Sequence, residues 1–192
     1  MDKDTFAGLE SSQLIVDNVV MNTTAFYEMK DGEERGTGNS TELGMLNYLR
    51  DCGAEVLQGI KERESKMANN MYKIPLNSER KRSTIAFMKG ADMVRIYCKG
   101  GPEIVLKLCS NYIGEGGAVY ELTEENRTHI IKDIQDSYAQ ITLRTLIVAY
   151  RDVSLDEFNE MKNSEDAAEQ IESNLTVVMM FGLKDPLREG IA

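Results

Sequence analysis

The 192-residue sequence predicts an α+β domain, a sheet covered by helices and at least partly antiparallel. Three observations carry this. Helix-like and strand-like segments alternate without an internal repeat. Residues 83–88 and 93–98 are two strand-like runs joined by Lys89-Gly90-Ala91-Asp92, which reads as a hairpin turn. Residues 145–151 and 175–183 are apolar on both faces and so belong inside a sheet.

The elements follow in order. Residues 1–10 show no period and are expected to be a loose lead-in. Ser11 and Ser12 can cap a helix whose Ile15, Val16, Val19 and Val20 form an apolar stripe, followed by a short strand at 24–27. Residues 30–39 read as a surface loop. Asn39 or Ser40 caps a second helix with Leu43, Leu46 and Leu49 inward and Glu42 in its first turn, where a carboxylate favours the helix dipole by ~0.3 to 1 kcal/mol. Residues 54–63 form a further helix with Val56, Leu57 and Ile60 apolar, and residues 61–66, alternating in sign, read as a solvated face.

In the second strand of the hairpin, a period of two puts Val94, Ile96 and Cys98 on a buried face and Met93, Arg95, Tyr97 and Lys99 on the other. Gly100-Gly101-Pro102-Glu103 then turns strand into helix. Pro102 suits the first helical position, Glu103 the first turn, and Ile104, Val105, Leu108 and Cys109 the apolar face. Residues 111–119 read as a loop. Thr123 caps a long helix with Ile130, Ile131, Ile134, Tyr138 and Ile141 at helical spacing. Ser154 and Glu157 make a capping box, and Ser164 opens another short helix.

Charge singles out one stretch. Residues 72–109 hold eight Lys/Arg against three acids, a balance of +5 in a chain of net charge −10, so the remainder carries −15. A basic island in an acidic protein outlines a site for a small anion. The helix start after Gly100-Gly101, beside Lys99, can hold one through its backbone N–H groups. The same spacing also fits a plain strand-to-helix turn with a solvated lysine, and Arg80, Lys81 and Arg82 also fit an exposed charge run.

Composition excludes several classes. A net charge of −10 argues against nucleic acid as a partner. The longest apolar run, residues 177–181, is far too short to cross a bilayer, and the polar, acidic start is not that of a signal peptide. Cys52, Cys98 and Cys109 lack a metal-ligand spacing and are expected to be reduced thiols. With His129 the only histidine, neither a zinc site nor a His-based triad is expected.

Five segments, in order, resemble P-type ion-pumping ATPases. Lys99-Gly100-Gly101-Pro102-Glu103 resembles the Lys-Gly-Ala-Pro-Glu signature of their nucleotide-binding domain, residues 38–43 (GNSTEL) their G-N-x-T-E segment, and residues 76–81 (LNSERK) their F-x-S-x-R-K segment. Residues 143–152 (LRTLIVAYRD) are similar to L-R-T-x-x-V-A-Y-R-D of plasma-membrane-type calcium pumps, and residues 182–188 (GLKDPLR) to the D-P-x-R hinge segment. The resemblance implies a mostly antiparallel twisted central sheet flanked by helices. It also implies a domain spanning 11–181, with 1–10 leading in from a hinge and 182–192 returning toward the phosphorylation domain.

By the same resemblance the ligand is ATP. Lys99 lies beside the nucleotide, Arg80 and Lys81 line its pocket, Glu42 addresses the adenine edge, Gly100 and Gly101 let the backbone approach, and Arg144 reaches the phosphates. Leu76 stands where the family stacks adenine on phenylalanine, a contact worth ~1 to 3 kcal/mol in nucleic-acid systems; Tyr72 is the nearest aromatic substitute. Thr142 and Gly101 also depart from the usual residues. Asp2-Lys3-Asp4-Thr5 is not the D-K-T-G-T phosphorylation motif, because Asp4 interrupts it. The aspartate nucleophile and the main Mg2+ ligands are therefore expected outside this chain, which is expected to bind ATP or ADP without hydrolysing it. The implied setting is the cytoplasmic side of a calcium-exporting membrane pump, with phosphorylation and actuator domains of the same chain as partners and no direct membrane contact. Two other readings stand beside it. One is a protein-interaction module with a decayed nucleotide site, and the other is a phosphohydrolase of the haloacid dehalogenase type, opposed by the lack of a D-x-D motif.

Overall fold

The computed structural model describes residues 3–67, 72–138 and 143–184. The chain opens with α1 (Lys3–Ala7) and α2 (Ser12–Met21), then a hairpin of β1 (Phe26–Lys30) and β2 (Glu33–Thr37), then α3 (Ser40–Asp51) and α4 (Val56–Met67). A sheet follows, built from β3 (Tyr72–Ile74), β4 (Arg82–Met88), β5 (Met93–Gly100), β6 (Cys109–Ile113), β7 (Val119–Glu121), β8 (Leu143–Ser154) and β9 (Leu175–Lys184). Its spatial order is β3-β4-β5-β8-β9-β6-β7, and β6 with β9 is the parallel pair among otherwise antiparallel ones. The helices α5 (Pro102–Val105), α6 (Glu124–Tyr138), α7 (Leu155–Lys162) and α8 (Ala167–Ile171) complete the fold. The α+β class and the mostly antiparallel sheet are as expected from the sequence, and β8 is its central strand.

Helices cover both faces. On one, the valines and isoleucine of α2 pack with Met45, Leu46 and Leu49 of α3, Val56 and Ile60 of α4, and Val148 and Phe181 of the sheet. On the other, Ala86, Val94 and Ile96 meet Phe158, Met161 and Ile171 of α7 and α8, while Cys98, Ile147 and Ala149 meet Val105 and Leu106. Two buried asparagines fix α2 to the sheet. Asn18 Nδ2 donates to the Ala149 carbonyl at 2.8 Å, and Asn22 Nδ2 donates to the Ser83 and Tyr97 carbonyls at 3.0 and 3.3 Å.

Several local expectations change. The lead-in forms α1, because Phe6 is buried against the first core. Residues 30–39 hold β2, turned back by Asp31 and Gly32, both at positive φ. The strand expected at 24–27 is β1, displaced to Phe26–Lys30. The helix after Pro102 stops early, so Cys109 is a strand residue, and the expected loop at 111–119 contains most of the β6–β7 hairpin. Of the apolar residues of α4, Val56 and Ile60 are buried and Leu57 is exposed. Asn39, not Ser40, caps α3, its Oδ1 accepting from the Glu42 N–H at 2.8 Å. Ser164 closes α7 by donating to the Met161 carbonyl, and Asp166 precedes α8. Ser154 accepts from the Glu157 N–H, but the Glu157 carboxylate turns to Arg151, leaving the box half made. Thr123 does cap α6. Ile130 and Ile131 face the core, whereas the side chains of Ile134 and Tyr138, and all of Ile141, Thr142 and residues 185–192, lie outside the described residues. Among the described residues, no helix is long and apolar enough to cross a membrane.

Candidate nucleotide site

The site is built where β5 ends and β4 begins. The β4–β5 register sets Lys99 opposite Ser83 and Gly100 opposite Arg82, so Lys99 points to the α2–α3 face. There it meets Glu42, in the first turn of α3. Lys99 Nζ donates to Glu42 Oε1 at 2.5 Å, with the two residues 6% and 8% exposed. The other carboxylate oxygen, Oε2, accepts from the Thr24 N–H at 3.0 Å, the Thr24 hydroxyl at 2.9 Å and the Ala25 N–H at 3.2 Å. Burial works against charge on both partners. For Glu42 it is overridden by Lys99 and the Thr24 donors, which pull the carboxyl down to about 2. For Lys99 burial dominates and draws the ammonium below its ordinary range, against the pull of Glu42. With four donors on it, the Glu42 carboxylate stands ionised at neutral pH.

The remaining predicted residues divide. Lys81 sits exposed at φ 51°, in the left-handed region, at the end of a turn in which Asn77 accepts from the Arg80 and Lys81 N–H groups. Its carbonyl accepts from the Gly101 N–H at 3.3 Å, which places the 76–81 turn against the Lys99–Gly101 corner. Leu76, in that turn, is 62% exposed and offers an apolar lip. Arg144, exposed on β8, lies 3.5 Å from the Thr41 hydroxyl, one residue from Glu42. Arg80 does not join this cluster. Its guanidinium and that of Arg82 close on Glu172, whose side chain is fully buried beyond the opposite face of the sheet; Arg82 Nε is 2.7 Å from Oε2, and Thr84 adds a hydroxyl donor at 2.5 Å. Gly100 has no open space at its Cα. A Cβ there would stand 2.6 Å from the Lys81 carbonyl oxygen, so the close approach it permits is between strands. At Gly101 the atoms nearest an added Cβ would be the Glu103 carboxylate oxygens, at 3.0 Å. Tyr72 is no substitute for a stacking phenylalanine at this place, because it packs edge-on to Phe158 of α7 on the far face.

One contributor went unread in the sequence. Arg63, placed by its alternating neighbours on a solvated face, is 4% exposed and donates to main-chain carbonyls of the segment that holds Glu42. The lone basic residue at a helical interval from Val56 and Ile60 was the available signal. A cavity of about 850 Å3 opens elsewhere, between α2, α4 and the tip of the β4–β5 turn, with Asp17, Glu62, Lys89 and Arg95 in its walls. That tip is six residues of strand from Lys99, or about 20 Å. None of the predicted site residues lines it.

Residues 10–190 match the model of the family described as P-type ATPase, cytoplasmic domain N. The chain belongs to this family. The N domain is also similar to proteins of Arabidopsis thaliana named Calcium-transporting ATPase 4, plasma membrane-type (32% identical over 184 residues, 95% of this chain) and Calcium-transporting ATPase 9, plasma membrane-type (30% over 180 residues, 93% of this chain). It spans 16% of the length of each. The match runs through every element that builds the Glu42–Lys99 cluster.

Proposed function

We propose that this N domain binds an adenine nucleotide at the mouth formed by Glu42, Lys99, Lys81, Leu76 and Arg144, and positions it for phosphoryl transfer to an aspartate carried by another domain of a calcium-transporting pump. The observation carrying this is the buried Glu42–Lys99 pair, which joins two segments 57 residues apart that each resemble a nucleotide-binding signature. Lys99 keeps two further N–H donors and Glu42 Oε1 keeps a lone pair. That set of donors and an acceptor fits a purine edge with an amino group beside a ring nitrogen. Arg144 and Lys81 supply exposed positive charge for a polyphosphate. Gly101 belongs to the same corner. Arg80 and Gly100 serve by holding the β4–β5 corner in place.

Bound ATP would bring the phosphoryl group to be transferred, and Mg2+ would be held mainly by residues outside this chain. The domain's own part is to bind and orient, on the cytoplasmic side of the membrane and beside the phosphorylation and actuator domains. The calcium assignment follows the names of the similar proteins. Calorimetric or chemical-shift titration with ATP tests the site. Saturable binding lost in both Lys99→Ala and Glu42→Ala is the expected result, and no response to millimolar ATP in the parent chain refutes it. In that event the exposed Leu76 favours the interaction module with a decayed site. Phosphate release by the pure chain would instead restore the hydrolase reading.

A further inference from the structure

The segment joining α2 to β1 is gripped from two sides. From α4, Arg63 Nη1 donates to the carbonyls of Val20, Thr23 and Ala25 at 3.3, 2.8 and 3.2 Å. From α3, Glu42 Oε2 takes the N–H groups of Thr24 and Ala25 and the Thr24 hydroxyl. Arg63 Nε has no acceptor among the described residues, and burial draws the guanidinium below its ordinary pKa. An apolar side chain would occupy this position without that desolvation. What the arginine adds is one nitrogen of a rigid planar group, Nη1, placed within reach of three main-chain carbonyls. The consequence reaches Glu42. With the 23–25 segment immobilised, Oε2 is saturated, and the free lone pair on Oε1 points in one direction beside Lys99.

We infer that Arg63 is a positioning residue for Glu42 and through it sets discrimination between purines carrying an amino donor at ring position 6 and those carrying a carbonyl there. The inference rests on the nucleotide reading given above. A 6-carbonyl brought to Oε1 would set acceptor against acceptor, and it is rejected only while the carboxylate cannot swing aside. The charges facing this carboxylate are Lys99 directly and Arg63 across the 23–25 segment.

Two measurements test it in the full 192-residue chain. The first is the Glu42 carboxyl titration by 13C NMR, and the second is the ratio of ATP to inosine triphosphate dissociation constants. Arg63→Met is expected to raise the Glu42 pKa by about one unit or more and to erode the ATP preference about tenfold. Thr24→Val, which removes one of the three donors to Oε2 at an exposed residue, is expected to erode it about fivefold, with Thr24→Ser restoring it. Where Arg63→Met does not fold, Arg63→Gln, shorter and uncharged, takes its place. A lower melting temperature with the Glu42 titration and the nucleotide ratio both at parental values in the Arg63 and Thr24 variants overturns the inference, since that is what a merely structural arginine gives. If the parent binds neither nucleotide, the nucleotide reading fails and the discrimination with it. The Glu42 titration then still decides whether Arg63 positions the carboxylate.

Discussion

Replacing Lys99 by methionine keeps most of the side-chain volume and removes the charge opposite Glu42. In the parent, the carboxyl lies at about 2 against an ordinary 4.5. A carboxylate with a depressed pKa stabilises the fold fully above its unfolded value, and that stability is lost as pH falls through the folded value. The difference corresponds to about 3 kcal/mol at pH 7, about 1 kcal/mol at pH 3 and almost nothing at pH 2. Loss of Lys99 leaves Oε2 with its three donors but strands the charge on Oε1, in the range found when a buried pair is broken, ~3 to 5 kcal/mol. Melting should fall by roughly 6 to 20 °C at neutral pH. Urea unfolding of parent and variant at pH 7, 5 and 3 isolates the term, because every other titrating group is common to both. The gap should be widest at pH 7 and narrow steadily below pH 4.5. A gap that stays constant down to pH 3 would refute the reasoning, because the lost stability would then be packing.

Three further outcomes are expected. Glu172→Ala leaves two guanidinium groups without their acid and should destabilise by ~3 to 5 kcal/mol in chemical denaturation; a loss below about 1 kcal/mol would mean that Arg80 and Arg82 find other partners at once. Leu76→Phe, at an exposed position, should leave the melting temperature unchanged and tighten ATP roughly 5- to 150-fold by calorimetry, and an unchanged affinity would remove residue 76 from the site. The native thiols should resist alkylation at pH 8 and react only on unfolding, since all three are buried, with Cys98 pushed up to about 12 by desolvation and Cys109 also raised; fast labelling of the folded chain would contradict that burial.

Where hydrophobic period and cap chemistry agree, the elements were legible. The α2 stripe, the Thr123 cap, the β4–β5 hairpin and the two-sided apolarity of β8 all hold. The misses have separate causes. Strand β2 carries no buried apolar residue, and only the Asp31-Gly32 turn marked its hairpin. Strands β3 and β7 are three residues long, too short to show a period. The site was legible as a set of motifs but not as a geometry. Arg80 and Lys81 are neighbours in sequence, yet one turns beneath the sheet to Glu172 while the other stays in solvent. Arg63 was misplaced because a run of alternating charge looks uniform until the fold selects one member for burial.

The β4–β5 register also acts as a parity rule. Lys99, at an odd position of β5, belongs to one acid, Glu42, and Arg82, at an even position of β4, to another, Glu172. Deleting a single residue between Ser83 and Met88 would exchange the two faces. Lys99 or Arg82 would then be turned away from its carboxylate, and a buried acid would be left without its base. Length changes at the Lys89–Asp92 tip, by contrast, lie outside every one of these pairings. A longer tip would leave both of these pairs in register, while the base of the hairpin is held to its residue count by electrostatics as firmly as by the hydrophobic core.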